Sequence, residues 1–282
     1  MTSSAAPSES SFRRRRAPRP RVVAAIVRRD YLLTRSYRMT FALELVFGVV
    51  NLLVYFFISR IFPQVGVHDL HGAASYFDFA AVGIIVTVVI GATSTELANR
   101  VRQEQLTGTL EALFMQPLAT VEVALGLVGL PFLFAMVRAF FYTGIAAIWL
   151  GLDVAQASWV GASLALAATG AAMASLGVLA GAIVLMIKRG DLLTGMTLFA
   201  MGFVSGAVFP VSVLPAWLQP IGAVVPTRFA FDGLRQALFE GSGWHGEVIA
   251  LALFAIVTLP VAVAVFRVAL WWSKRSGSLA KY

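Results

Sequence analysis

Glu44, Asn51 and Arg138 are polar side chains inside apolar stretches of this sequence. Charge is expensive in lipid, so such groups have a functional default. Arg138 sits near the middle of its stretch. Its candidate partners are an anionic substrate headgroup, Glu44 if the two helices are suitably staggered, a backbone carbonyl, or a second copy of the chain. Glu44 lies near one end of its stretch, where it can also reach lipid headgroups.

A second concentration of chemistry is the charged run ELANRVRQEQLTGTLEALFMQP at 96–117. Glu96, Arg100 and Glu104 are spaced i, i+4 and can form ion pairs along one helix face. Gly108 interrupts helical propensity. Thr109 can cap a short helix with Leu110 following and Glu111 in its positively polarised first turn, and Pro117 ends that helix. The pattern is helix, break, short helix, turn. It reads either as a rigid elbow able to pass force to a partner or as an ordinary charged loop.

The third is residues 202–241, where Pro210, Pro215, Pro220 and Pro226 punctuate an apolar run that includes Trp217. This is too broken for a continuous span. Broken apolar backbone beside a membrane is tolerated where protein buries it. Two short dipping helices are expected, about 216–224 and 227–239. Within the second, Asp232 lies four residues after Arg228 and three before Arg235, so the carboxylate can pair locally with both.

Other chemistries lack residues. The sequence has no cysteine, and its three histidines are scattered, so neither thiol catalysis nor a metal cluster is expected. No Gly-Lys pair occurs, which removes a P-loop, so the chain itself is not expected to hydrolyse ATP. No Ser/His/Asp arrangement has motif support, which weighs against a lipid-modifying enzyme. An ATP-independent secondary transporter is the other rival. Such proteins commonly carry several ionisable groups at mid-membrane, whereas Arg138 is nearly alone.

The elements that hold these residues are membrane spans. Of 282 residues, 59% are hydrophobic and 13% charged, against about 25% charged in a soluble domain. Hydropathy predicts an all-α, polytopic fold with six spans: about 40–61, 76–95, 121–150, 158–187, 192–211 and 247–271. The third contains Gly129-Leu130-Pro131, a kink site. Lys and Arg alternate between connections, with Lys188 and Arg189 in a tight turn, and this places both termini in the cytoplasm. Arg228 and Arg235 resist that rule. Trp149, Trp159, Trp217 and Trp244 fall at predicted outer ends. Gly177-x-x-x-Gly181 and Gly202-x-x-x-Gly206 permit close helix packing.

Ten of the 22 Lys and Arg precede residue 40. In a chain this apolar they read as a flank attracted to anionic lipid rather than as a nucleic-acid site. Residues 1–20 have the composition of a disordered cytoplasmic tail, and no apolar run follows the arginines as in a signal peptide. Residues 21–39 predict an amphipathic interfacial helix, with Arg21, Arg28 and Arg35 opposite Val22, Ile26, Leu33 and Tyr37. Residues 40–275 form the transmembrane domain, and 276–282 a short cytoplasmic tail.

Two of these stretches together resemble the ABC-2 type transporter permease family. The first is Glu104, Gly108-Thr109-Leu110-Glu111 and Pro117. The second is Ser205-Gly206, Phe209-Pro210-Val211, Leu214-Pro215, Trp217-Leu218, Pro226-Thr227 and Asp232-Gly233-Leu234-Arg235. The multidrug and daunorubicin-type branch is the nearest in pattern, and the long Arg-rich tail is the main departure. The resemblance implies a permease of the plasma (inner) membrane, working as a dimer and not itself an ATPase: ATP and Mg would sit on a cytoplasmic ATP-binding partner. It implies that 104–117 docks on that partner, with Lys188 and Arg189 as a smaller contact. It also implies outer re-entrant helices after span five, and an exporter of an amphipathic drug, lipid or lipid-linked glycan.

Overall fold

The computed structural model describes residues 20–34, 38–61, 72–106, 120–186 and 190–275, and all regular structure among them is helical. In order these are α1 (Pro20–Thr34), α2 (Arg38–Ile61), α3 (Tyr76–Leu106), α4 (Thr120–Trp149), α5 (Trp159–Met186) and α6 (Gly190–Val204). A broken segment follows, with a 3-10 turn at Val211–Val213, α7 (Gln219–Val224), α8 (Pro226–Arg235) and a π-helical turn at Gln236–Glu240. The last helix is α9 (His245–Arg275).

Five helices are long and apolar enough to cross a membrane: α2, α3, α4, α5 and α9. The predicted fifth span does not reach that length. It ends at Val204 rather than 211, and α6 has 15 residues. At 1.5 Å per residue this is about 22 Å, short of a ~30 Å hydrocarbon core. The stop is local. Gly206 takes φ +82, the Ala207 amide donates to the Gly202 carbonyl at 3.2 Å, and the Gly206 amide to Phe203 at 3.5 Å. That pair of bonds is a Schellman cap built on a left-handed glycine. Gly202 and Gly206 therefore do not form the expected packing motif: a side chain at Gly202 would meet open space.

The other helices follow their sequence signals. Ser75 caps α3, accepting from the Asp78 amide at 3.2 Å and donating to its carboxylate at 2.9 Å. Ser158 caps α5 through the Gly161 amide at 3.1 Å. Pro131 and Pro260 lie inside continuous helices. α3 runs unbroken past its apolar part to Leu106, so the charged residues after Thr95 extend the same helix.

α3 is the central helix. Its apolar part is 72% buried, against 6% for that of α2. It crosses α5 closely. A Cβ at Gly177 would approach the Thr93 carbonyl at 2.7 Å, and the Ser94 hydroxyl donates to the Met173 carbonyl at 3.1 Å. α5 also packs along α9, where Ser175 and Thr258 share a hydrogen bond at 2.6 Å. α1 lies on α4. Ile26 and Val27 fill the space left by Gly126 and Gly129, where an added Cβ would come within 2.8 Å of each. Ile26 and Asp30 are buried, while Arg21 and Arg28 are exposed. The apolar face expected for α1 is thus partly a protein contact. Tyr37 and Arg35 lie outside the described residues.

Candidate functional site

The broken segment after α6 is pinned at one point by Arg235. This side chain is 1% exposed. Its guanidinium donates to the Gly206 carbonyl at 2.8 Å and, at 3.4 Å, to the carbonyls of Ala207 and Phe79. It also lies over the Phe79 ring, 3.6 Å from the centroid. Three pieces of chain therefore meet on one cation: α8, the first turn of α3, and the turn that ends α6. Helix termination leaves carbonyls without intrahelical donors, and a planar guanidinium with five N–H groups can serve several at once. Burial lowers the Arg235 pKa to about 10, opposed by Asp232. The group stays charged at neutral pH.

Two smaller features complete the junction. The Ser205 and Thr227 hydroxyls bond each other, and Thr227 donates to the Met201 carbonyl at 3.2 Å. Gly83 of α3 lets the Ala207 backbone approach, because a Cβ there would collide with the Ala207 carbonyl oxygen. The two glycines of α3 predict opposite signs. Gly83→Ala should destabilise the detergent-solubilised chain by about 1–3 kcal/mol, because the obstacle is backbone. Gly91→Ala has nothing within 4 Å of its Cβ and should be neutral or stabilising by about 0.5–1 kcal/mol through helix propensity. Thermal unfolding of the two variants side by side checks this; equal shifts would refute the Gly83 contact.

Asp232 takes both arginines expected of it, Arg228 Nε at 3.2 Å and Arg235 Nη1 at 3.6 Å. The two arginines that resist the charge rule are thus a paired group and a buried one. Pro226 occupies the first position of α8, where its missing N–H costs nothing. Pro210 precedes the 3-10 turn. Pro215 is exposed, and Trp217 is 72% exposed. Two short helices lie in this stretch, Gln219–Val224 and Pro226–Arg235, the latter continued by the π-turn to Glu240.

Two charges within the spans, Arg138 and Glu44, also meet. Arg138 Nη2 lies 2.6 Å from Glu44 Oε2, and its guanidinium stacks 5.2 Å from the Phe41 centroid. One turn further along α4, the Tyr142 hydroxyl donates to the backbone carbonyl of the same Glu44 at 3.0 Å. Gly48 makes room for that ring, since a Cβ there would collide with the phenol. One turn the other way, Phe41 packs on Phe134 at 5.2 Å. The pairs 41–134, 44–138 and 48–142 define a parallel register of α2 on α4. Asn51 shares the Glu44 face of α2, seven residues on. Of the residues sequence reading missed, Gly48 and Gly83 were visible as isolated glycines in helical patterns. Tyr142 gave no more signal than its place one turn after Arg138.

The charged elbow is not placed. Gly108, Thr109, Leu110, Glu111, Pro117, Lys188 and Arg189 lie outside the described residues, and Glu104 is described only as part of the α3 backbone.

A family model described as "ABC-2 type transporter" matches residues 21–239. That span runs from α1 through the π-turn and takes in both arginine sites. The chain belongs to the ABC-2 type transporter family and is a membrane transport component. Among curated proteins it is similar to Nodulation protein J of Sinorhizobium fredii (strain NBRC 101917 / NGR234). The two are 28% identical over 198 residues, which is 68% of this chain and 74% of that protein.

Proposed function

We propose that this chain is the transmembrane permease subunit of an ATP-driven exporter. In this reading a separate cytoplasmic subunit binds ATP and Mg, and the permease moves an amphipathic drug, lipid or lipid-linked glycan out of the cytoplasm or inner leaflet. Family membership over 21–239 is the observation that carries it. α6 serves as a short sixth crossing, counted with the five longer helices, and the Arg235 junction closes its outer end. The segment 205–244 dips into the outer leaflet, α1 lies at the inner interface, and both termini are cytoplasmic. The four exposed or half-buried tryptophans at 149, 159, 217 and 244 fit that outer end.

Two copies form the transport unit. Residues 104–117 dock on the ATPase, assisted by Lys188 and Arg189, so that closure of the ATPases tilts α3 and biases the bundle between two states. Arg138, with Glu44 and Asn51 beside it, faces the pathway. Secondary transport has no specific support, because Arg138, the ionisable group nearest mid-span, is paired with Glu44.

The test uses the full chain purified in mild detergent with its native lipids. A P-loop ATPase should co-purify and change its ATP turnover when reconstituted. Glu111→Ala should weaken that association about tenfold, as for a central interface residue. If no P-loop protein co-purifies and none responds to the chain, the proposal fails; if Glu111→Ala binds normally, the elbow assignment fails alone.

A further inference from the structure

Between the 3-10 turn, α7 and the start of α8 lies a cavity of about 400 Å³, lined by Pro210, Val211, Ser212, Gln219, Pro220, Ala223 and Arg228. Arg228 is its one charged lining residue. The guanidinium spends Nε on Asp232, and both Asp232 oxygens are engaged, one by each arginine. Glu247 is within electrostatic reach of Arg228 and Asp232 but does not line the cavity. Arg228, Arg235, Asp232 and Glu247 sum to no net charge, so attraction of an anion here depends on directed donors rather than excess charge. The terminal nitrogens of Arg228 carry four N–H groups in the fork that suits a phosphate. Gln219 uses its amide nitrogen on the Leu214 carbonyl at 2.9 Å, which leaves its oxygen for a hydroxyl. Ser212 adds an exposed hydroxyl. Around these groups the same segment exposes Val213, Trp217, Ile221 and Val224, each more than half exposed.

A phosphate-binding fork beside an exposed apolar rim matches one kind of ligand, with an anionic head and a hydrocarbon tail. We propose that this cavity binds the phosphate headgroup of an anionic lipid, with Arg228 as the contact and the rim as the surface for the upper acyl chains. The site is independent of ATP coupling, and its test contains no transport readout.

The experiment reconstitutes the full chain in phosphatidylcholine bilayer discs containing a photoactivatable phosphatidylglycerol, and maps cross-linked peptides. Wild type should be labelled within 210–228. Arg228→Gln should reduce that labelling about tenfold, the expected loss of a charge-assisted contact, while labelling near Arg21 and Arg28 persists as an internal control. Ala223→Trp, which fills the cavity and leaves the Arg228–Asp232 pair, should do the same. Equal labelling of 210–228 by a phosphatidylcholine probe, or unchanged labelling in either variant, overturns the proposal. Loss of labelling to excess inorganic phosphate alone would identify the ligand as a free anion and overturn the lipid assignment.

Discussion

Arg235→Met is expected to be the most damaging single substitution in the described part of the chain. It removes the shared donor of the Gly206, Ala207 and Phe79 carbonyls and the buried partner of Asp232. Breaking a buried ionic network on one side costs about 3–5 kcal/mol, because the groups left behind stay buried and unpaired. The loss should appear as a lowered unfolding temperature in detergent and as new protease cleavage between 205 and 225. Arg235→Lys should recover only part of it. A lysine keeps the charge, but its compact ammonium cannot span three carbonyls or stack flat on Phe79. A methionine variant that melts and resists protease like wild type would show that the Schellman turn and Gly83 hold the junction unaided.

The second large effect is expected at the α2–α4 pair. Glu44→Gln leaves Arg138 at the centre of an apolar helix without its counter-charge, which should cost about 2–3 kcal/mol. Arg138→Met should cost less, because Glu44 is 46% exposed against 20% for Arg138 and stands near the start of its apolar stretch, where it can reach water. The double variant should recover most of the larger loss, since an uncharged pair in lipid has no charge to compensate. A double-mutant cycle by thermal unfolding measures this directly. Additive losses would mean that the two side chains do not stabilise each other and would return Arg138 to the role of a substrate contact.

Both sites combine residues that were legible with partners that were not. Arg228, Asp232 and Arg235 were joined from spacing alone, because i, i+3 and i, i+4 neighbours share a helix face whatever the tertiary fold. The same rule says nothing about Phe79 or Gly83, which lie more than 120 residues before Ala207. Pairing of Arg138 with Glu44 was one of several open options. Choosing among them required the 41–134 register, which depends on how far α4 extends below α2 and on the space Gly48 leaves for Tyr142.

The fifth span misled hydropathy for a related reason. Residues 205–211 are apolar enough to continue a helix, and composition averages over them. The backbone stops because Gly206 can turn left-handed and because Arg235, 29 residues on in sequence, donates to the carbonyls the turn exposes. Apolar length and the cost of bare backbone in lipid already dictate a helical membrane protein, the order of its helices and the breaks between α6 and α9. Lipid imposes those constraints on each segment separately. Which arginine meets which carbonyl, and where a short helix ends, are decided by close approach between segments, and that approach is set by a few glycines whose partners no local pattern names.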